Sequence, residues 1–282
     1  MDSHTSVLPA ETLDLLAPKR GEVFVDATLG LGGHASLILE RISPHGRLIG
    51  CDADERNLEV AQKNLKKFPN VEFRHANFRE LENFVSPNSV GGILLDLGVS
   101  SPHFDDPKRG FSFQKDGPLD LRFDQKQPLD AAEILNAWPE DEIAQVLRDF
   151  GEIGISKKIA RQICERRRKQ RFQTTTDLAE IIEVKKLLPQ VFQALRIAVN
   201  DELSALEAAL NSAPKLLKSG GRIAVIAFHS LEDRIVKNFF RKQKKSGAFE
   251  ILTKKPVVPT SEEVQKNPRA RSAKLRAAMK RS

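Results

Sequence analysis

Short apolar runs and amphipathic helical patterns alternate through the first hundred residues of the chain. Runs at 22–28, 47–52, 71–74 and 93–96, rich in Val, Ile and Leu, read as strands. Between them, 35–42 and 55–68 repeat apolar positions every three or four residues, with Leu58, Ala61 and Leu65 on one face of the second. This alternation predicts a parallel sheet covered on both sides by helices. From about 128 to about 190 the rhythm becomes helix after helix, at 129–138, 139–150, 156–169 and 175–187, each opened by Ser, Thr, Asp or Pro. Strand character returns only at 222–228, which makes the helical stretch an insertion. The expected organisation is an α/β domain, 1–127, an inserted all-helical domain, 128–190, and the second part of the α/β domain, 191–282. The tail, 261–282, supplies either a last strand or an arm.

Two strand ends carry the chemistry. Asp96 leaves the run Gly92-Ile93-Leu94-Leu95 and enters the small-residue turn Leu97-Gly98-Val99-Ser100-Ser101-Pro102. Upstream, Val23-Phe24-Val25-Asp26-Ala27-Thr28 empties into Leu29-Gly30-Leu31-Gly32-Gly33-His34, a glycine turn that opens a helix. Two such tips point to one crevice, in which glycine lets the backbone approach a ligand and a helix start offers free N–H groups. Asp52 closes the second strand where an acid accepts both hydroxyl hydrogens of a ribose; its alternative is the N-cap of the next helix, a role Asp54 fills equally well. The third strand ends in His75-Ala76-Asn77-Phe78, where a side-chain amide, a backbone N–H and an aromatic ring suit an adenine, the alternative for Phe78 being core packing. The glycine turn is neither Gly-x-x-x-x-Gly-Lys-Ser/Thr nor Gly-x-Gly-x-x-Gly, which argues against a triphosphate or a dinucleotide. A ribose acid, an adenine edge and no phosphate machinery point to S-adenosylmethionine.

Charge changes the picture of the partner. The net charge is +7, and the basic residues cluster at 157–171 and from 237 onward, as a polyanion binder requires. No apolar run reaches the roughly 18 residues of a membrane span, and no basic-then-apolar leader opens the chain, so a cytoplasmic protein is expected. Cys51 and Cys164 lack metal or disulfide spacing and read as small buried hydrophobes, with no metal site expected.

Six stretches then identify a resemblance. Asp26-Ala-Thr-Leu-Gly-Leu-Gly-Gly-His34, Leu94-Leu-Asp-Leu-Gly-Val-Ser-Ser-Pro102, Arg109-Gly-Phe-Ser-Phe113, Asp116-Gly-Pro-Leu-Asp120, the run from Ala227 through His229 and Glu232 to Lys237, and Asn267-Pro-Arg-Ala-Arg271 resemble the ribosomal RNA small-subunit methyltransferase H family. The likeness runs nearly end to end and begins with His4, Val7 and Leu8. It implies a Rossmann-like class I methyltransferase sheet and transfer of a methyl group from S-adenosylmethionine to the N4 amine of a decoding-centre cytidine in bacterial 16S ribosomal RNA. The substrate is then naked RNA or the assembled small subunit, and the protein a monomer or homodimer. Position by position, the family's cofactor contacts fall on Gly32, Gly33, His34, Asp52, Phe78, Asp96 and His103. The chain departs from the family at Leu187-Leu-Pro-Gln190, in place of a His-Pro-Ala-Thr-Arg run, and at Pro9, where Leu is usual.

A cytosine amine is a weak nucleophile because its lone pair is delocalised, so it must be aligned and its hydrogens accepted. Asp96 is the expected catalytic acceptor, with Phe104, Phe111 or Phe113 as base-stacking candidates and His103 as a second proton acceptor. His229, Ser230, Glu232 and Asp233 lack a nucleophile elbow, and capping by Ser230 accounts for them. Two other functions compete. A small-molecule methyltransferase would show no salt-dependent RNA affinity, and a non-catalytic assembly factor would not need Gly32, Gly33, His34, Asp52 and Asp96 intact.

Overall fold

The structure is a computed structural model that describes residues 6–281, so His4 lies outside the described residues. The chain forms two compact units, Met1–Gly98 with Leu203–Ser282, and Val99–Glu202.

The first unit is built on seven strands: β1 Val23–Asp26, β2 Arg47–Asp52, β3 Val71–His75, β4 Val90–Asp96, β5 Leu217–Ala227, β6 Phe249–Ile251 and β7 Lys274–Lys280. Their order is β3-β2-β1-β4-β5-β7-β6. β1 to β5 run parallel, and β7 pairs antiparallel with both β5 and β6. This is the class I methyltransferase sheet that the resemblance implies. Successive side chains of a strand point to opposite faces, and the core follows that alternation. Val25, Ile93, Leu95, Ile223 and Val225 enter one cluster, with Leu206 and Leu210 of the helix Glu202–Leu216 and Val236 and Phe240 of the helix Ser230–Lys245. Phe24, Leu94, Ala224 and Ile226 enter the other, with Ile38 and Leu39 of the helix Gly33–Ile42 and Leu58 and Ala61 of the helix Glu55–Asn64. From β1 the chain goes to β2 on one side and from β4 to β5 on the other, so the crevice of this α/β sheet opens at the C-terminal ends of β1 and β4.

The second unit has its own core, to which the helices Ala131–Ala137, Glu140–Asp149, Ser156–Lys169, Thr175–Ile181 and Leu188–Asn200 all contribute. Its span exceeds the 128–190 of the periodicity at both ends. Phe111, Leu119 and Leu121 lie in that core, and Leu119 N–H donates to Gln173 O (3.0 Å) while Thr175 N–H donates to Gly117 O (2.8 Å). At the far end Asn200 accepts from Phe123 N–H and donates to Leu121 O, both at 2.8 Å. The expected helix at 175–187 ends at Ile181 and gives way to a 3-10 turn, Lys185–Leu187.

Both cysteines are free and buried, Cys51 with its thiol toward Ala27 O (3.3 Å). Among the described residues no cluster of metal-ligating side chains occurs, and no helix is long and apolar enough to cross a membrane.

Candidate active site

The tips of β1 and β4 are tied together before any ligand is considered. Asp96 N–H donates to the Thr28 hydroxyl at 2.6 Å, and Ala27 N–H donates to Leu94 O at 2.9 Å. Beyond Thr28 the chain turns through Gly32, whose φ of +87° lies in the left-handed region that favours glycine. A Cβ on Gly33 would collide with the Ser6 hydroxyl. The helix Gly33–Ile42 that follows starts without a side-chain cap.

Three ionisable groups meet here. Asp26, on the last residue of β1, is 1% exposed. Burial pushes its carboxyl up to about 7, against the opposing pull of His34 and the Thr28 N–H, with Asp96 and Asp52 adding to the rise. His34 is also buried, which by itself lowers an imidazole, but Asp96, Asp26 and the Val7 carbonyl outweigh that and raise it above its ordinary value. Its Nε2 stands 3.6 Å from Asp96 Oδ2, an ion-pair distance too long for a hydrogen bond. His34 Nε2 and Asp96 Oδ1 are buried atoms with no hydrogen-bond partner among the described residues. Buried polar atoms are nearly always satisfied, so two side by side mark a place where a ligand completes the set.

Asp52, at the tip of β2, is held in place by the backbone. Its Oδ2 accepts from Gly30 N–H and its Oδ1 from Asp54 N–H, both at 2.8 Å. The N-cap of the helix Glu55–Asn64 is Asp54, which accepts from Arg56 N–H. Asn57 Nδ2 also donates to the carboxylate, at 3.4 Å to each oxygen. Phe78 opens a 3-10 helix, Phe78–Asn83, and is half-buried. Asn77 caps that helix, its oxygen accepting from Arg79 N–H (3.0 Å). The aromatic ring and the first-turn N–H of Phe78 follow it in the chain.

His103 belongs to the second unit, in the short helix Ser101–Asp105, where its Nδ1 is 2.8 Å from the Ser100 hydroxyl. Its ring lies 4.8 Å from that of Phe111 and 5.3 Å from that of Phe123. Phe111 is a core residue, 4% exposed, which removes it as a base-stacking platform. Phe113 is half-buried against Phe192 at 5.8 Å.

At the tip of β5 the Phe228 ring packs on Gly98, where a Cβ would come within 2.9 Å of it. The next helix, Ser230–Lys245, is capped by His229 and not, as the sequence suggested, by Ser230. Buried Glu232 accepts from Phe228 N–H (2.7 Å) and His229 N–H (3.2 Å). Asp233 pairs with Arg276 at 2.6 Å, and those contacts pull its carboxyl down against the effect of burial. The quartet at 229–233 is a capped helix start. The residue that pattern reading missed is Asp26, although the signal was there: an acid closing an apolar run, as at Asp96.

The family model of the MraW methylase family matches residues 1–281. Ribosomal RNA small subunit methyltransferase H of Carboxydothermus hydrogenoformans is 45% identical over 310 residues, covering 99% of this chain and 98% of that protein. The protein of the same name from Trichormus variabilis is 48% identical over 291 residues, covering 99% and 92%. A solved structure from Clostridium thermocellum, described as an rRNA-methylase, has a TM-score of 0.50 at 13% identity and covers 98% of this chain and 97% of its own. That last likeness is one of fold.

Proposed function

The chain belongs to the MraW methylase family, and on that footing we propose that it methylates the exocyclic N4 amine of a decoding-centre cytidine in 16S ribosomal RNA, with S-adenosylmethionine as methyl donor. Methylation of small-subunit ribosomal RNA rests on relatives at 41–48% identity over nearly the whole chain. The cytidine amine is what the resemblance to the ribosomal RNA small-subunit methyltransferase H family implies, and the strand tip supplies an acceptor suited to an amine. The single observation that carries it is the carboxylate of Asp96, fixed by the Thr28 hydroxyl at its backbone and left with an unpartnered Oδ1 beside buried His34.

The described residues fit the donor. Asp52, at the tip of β2, is the acid for the ribose hydroxyls, Phe78 offers an apolar face for adenine, and Gly32 and Gly33 form a turn without side chains. Together with His34 and Asp96 these form the proposed cofactor set of the first unit. S-adenosylmethionine supplies an electrophilic methyl group on a sulfonium sulfur. Asp96 aligns the attacking amine by accepting one of its hydrogens at Oδ1, which directs the nitrogen lone pair away from the carboxylate. As the nitrogen becomes cationic, the negative charge of Asp96 stabilises it without having to reorganise. Asp96 then takes the proton that the methylated amine releases. His34 stands at ion-pair distance from the carboxylate, and the charge of buried Asp26 favours the protonated imidazole. The second unit is proposed to recognise RNA.

The test is to incubate the protein with methyl-labelled S-adenosylmethionine and small-subunit RNA, naked and assembled, and to digest the product to nucleosides. Labelled N4-methylcytidine is expected. Label in another nucleoside would overturn the cytidine assignment, and label in no RNA would overturn the substrate class.

A further inference from the structure

Two helices carry the basic clusters of the sequence, and the structure uses their charges differently. In Ser156–Lys169, Arg167 donates to the carbonyls of Leu135 (3.1 Å) and Trp138 (2.7 Å), and Arg166 contacts Asp177 at 3.3 Å. Those two arginines hold their own unit together. In Ser230–Lys245, by contrast, Lys237, Arg241 and Lys245 recur at four-residue spacing on the exposed side, with Lys242 and Lys244 beside them. Among the described residues none of these five makes an ion pair.

The acids nearby are committed elsewhere. Glu232 binds the backbone at the helix start, and Asp233 binds Arg276 and Lys274. On the strands packed against this helix, the one described acid is Glu250, exposed and outside any ion pair. Like charges four residues apart on a helix repel. Cations in the last turn complement the helix dipole, which accounts for Lys242, Lys244 and Lys245 but not for Lys237 and Arg241 in the middle. A ladder of five cations that make no ion pair among the described residues, with the charge of Asp233 acting on Lys237 from one turn before, suits an external polyanion.

We propose that this face is a docking track for the phosphate backbone of the substrate RNA, leading away from the tip of β5. The helix begins at His229, next to the Phe228 ring that packs on Gly98 just past Asp96. At 1.5 Å per residue, Lys237 stands about 12 Å along it, close enough for nucleotides flanking a target held at Asp96. A membrane-surface helix would show an exposed apolar face, but Leu231, Val236 and Phe240 are buried in the sheet core. A protein interface would centre on aromatic anchors and be poor in lysine. The exposed residues here are cationic and polar. The inference rests on the ribosomal RNA reading above.

The test is the triple substitution Lys237→Gln, Arg241→Gln, Lys245→Gln in the full chain, with binding to small-subunit RNA measured across a salt series. Affinity at low salt is expected to fall at least tenfold. The slope of log affinity against log salt is expected to flatten by about 2, since each single-strand phosphate contact contributes about 0.7. Cofactor affinity and single-turnover rate at saturating RNA are expected to stay as in the wild type. The matched variant Arg168→Gln, Lys169→Gln, Arg171→Gln shows how much the second unit contributes. Unchanged RNA affinity and slope in the first triple variant would overturn the track, as would loss of binding to anionic lipid vesicles or acidic protein with RNA binding intact. If instead the wild type methylates no RNA, the functional reading fails and not the track alone.

Discussion

His34 Nε2 lies 3.6 Å from Asp96 Oδ2, and neither His34 Nε2 nor Asp96 Oδ1 has a hydrogen-bond partner among the described residues. The imidazole is buried, and Asp96 at ion-pair distance, the charge of Asp26 and the Val7 carbonyl together hold it above its ordinary value of 6.5. In a ring-resolved NMR titration His34 is expected to titrate above 6.5. Asp96→Asn should lower its pKa most and Asp26→Asn less, in the order of their influence. A pKa at or below 6.5 in the wild type would show that burial outweighs both acids.

Asp26 makes stability depend on pH with a definite sign. Its carboxyl is raised from 3.8 to about 7 in the folded state. Its contribution to stability is therefore fully present below about 3.8 and is lost as pH rises through 7. Above that, burying the charge costs folding about 4 kcal/mol at most, from three pKa units at 1.36 kcal/mol each. Asp26→Asn should melt higher than the wild type above pH 7, with the difference shrinking toward pH 4, and it should transfer methyl groups more slowly because His34 loses its counter-charge. A melting difference that does not vary with pH would refute the assignment.

Asp52→Ala should weaken S-adenosylmethionine binding by tenfold or more, because hydrogen bonds to a charged acceptor contribute about 1.5–3 kcal/mol each. The same carboxylate holds Gly30 N–H and Asp54 N–H, so the variant should also melt lower. Calorimetric titration with wild-type affinity would leave Asp52 as a loop anchor only.

The arginine run of the second unit separates into structural and surface roles. Arg167→Ala leaves the Leu135 and Trp138 carbonyls at the end of the helix Ala131–Ala137 without their donor, at a cost of about 1–3 kcal/mol. Arg168→Ala, on an exposed position, should leave the melting temperature unchanged. Equal melting temperatures for the two variants would contradict this division.

The legible part of the molecule follows from periodicity and strand ends. Five parallel strands, the helices between them and the acids at the tips of β2 and β4 announce themselves in the sequence because buried parallel strands read as apolar runs. β6 does not, since Phe249-Glu250-Ile251 is three residues long and offers no period to count. β7 is Lys274-Leu275-Arg276-Ala277-Ala278-Met279-Lys280, and its small alanines and charged neighbours hide a buried strand. The start of the second unit is equally obscure: Phe111, Leu119 and Leu121 reach its core through bonds to Gln173, Thr175 and Asn200, contacts far apart in sequence. The raised carboxyl of Asp26 depends on burial and on His34, Asp96 and Asp52 from other elements, which a linear reading does not supply.

The most direct test of the central claim is the single-turnover rate of Asp96→Asn at saturating S-adenosylmethionine and small-subunit RNA, conditions that separate chemistry from binding. The asparagine keeps the shape and one acceptor oxygen but removes the charge that stabilises the developing cationic amine. A fall of about 100-fold or more is predicted, comparable to the loss of one preorganised electrostatic partner, with the fold and RNA affinity retained. A near-normal rate would contradict the account, because the carboxylate at the tip of β4 would then not be the acceptor that activates the amine.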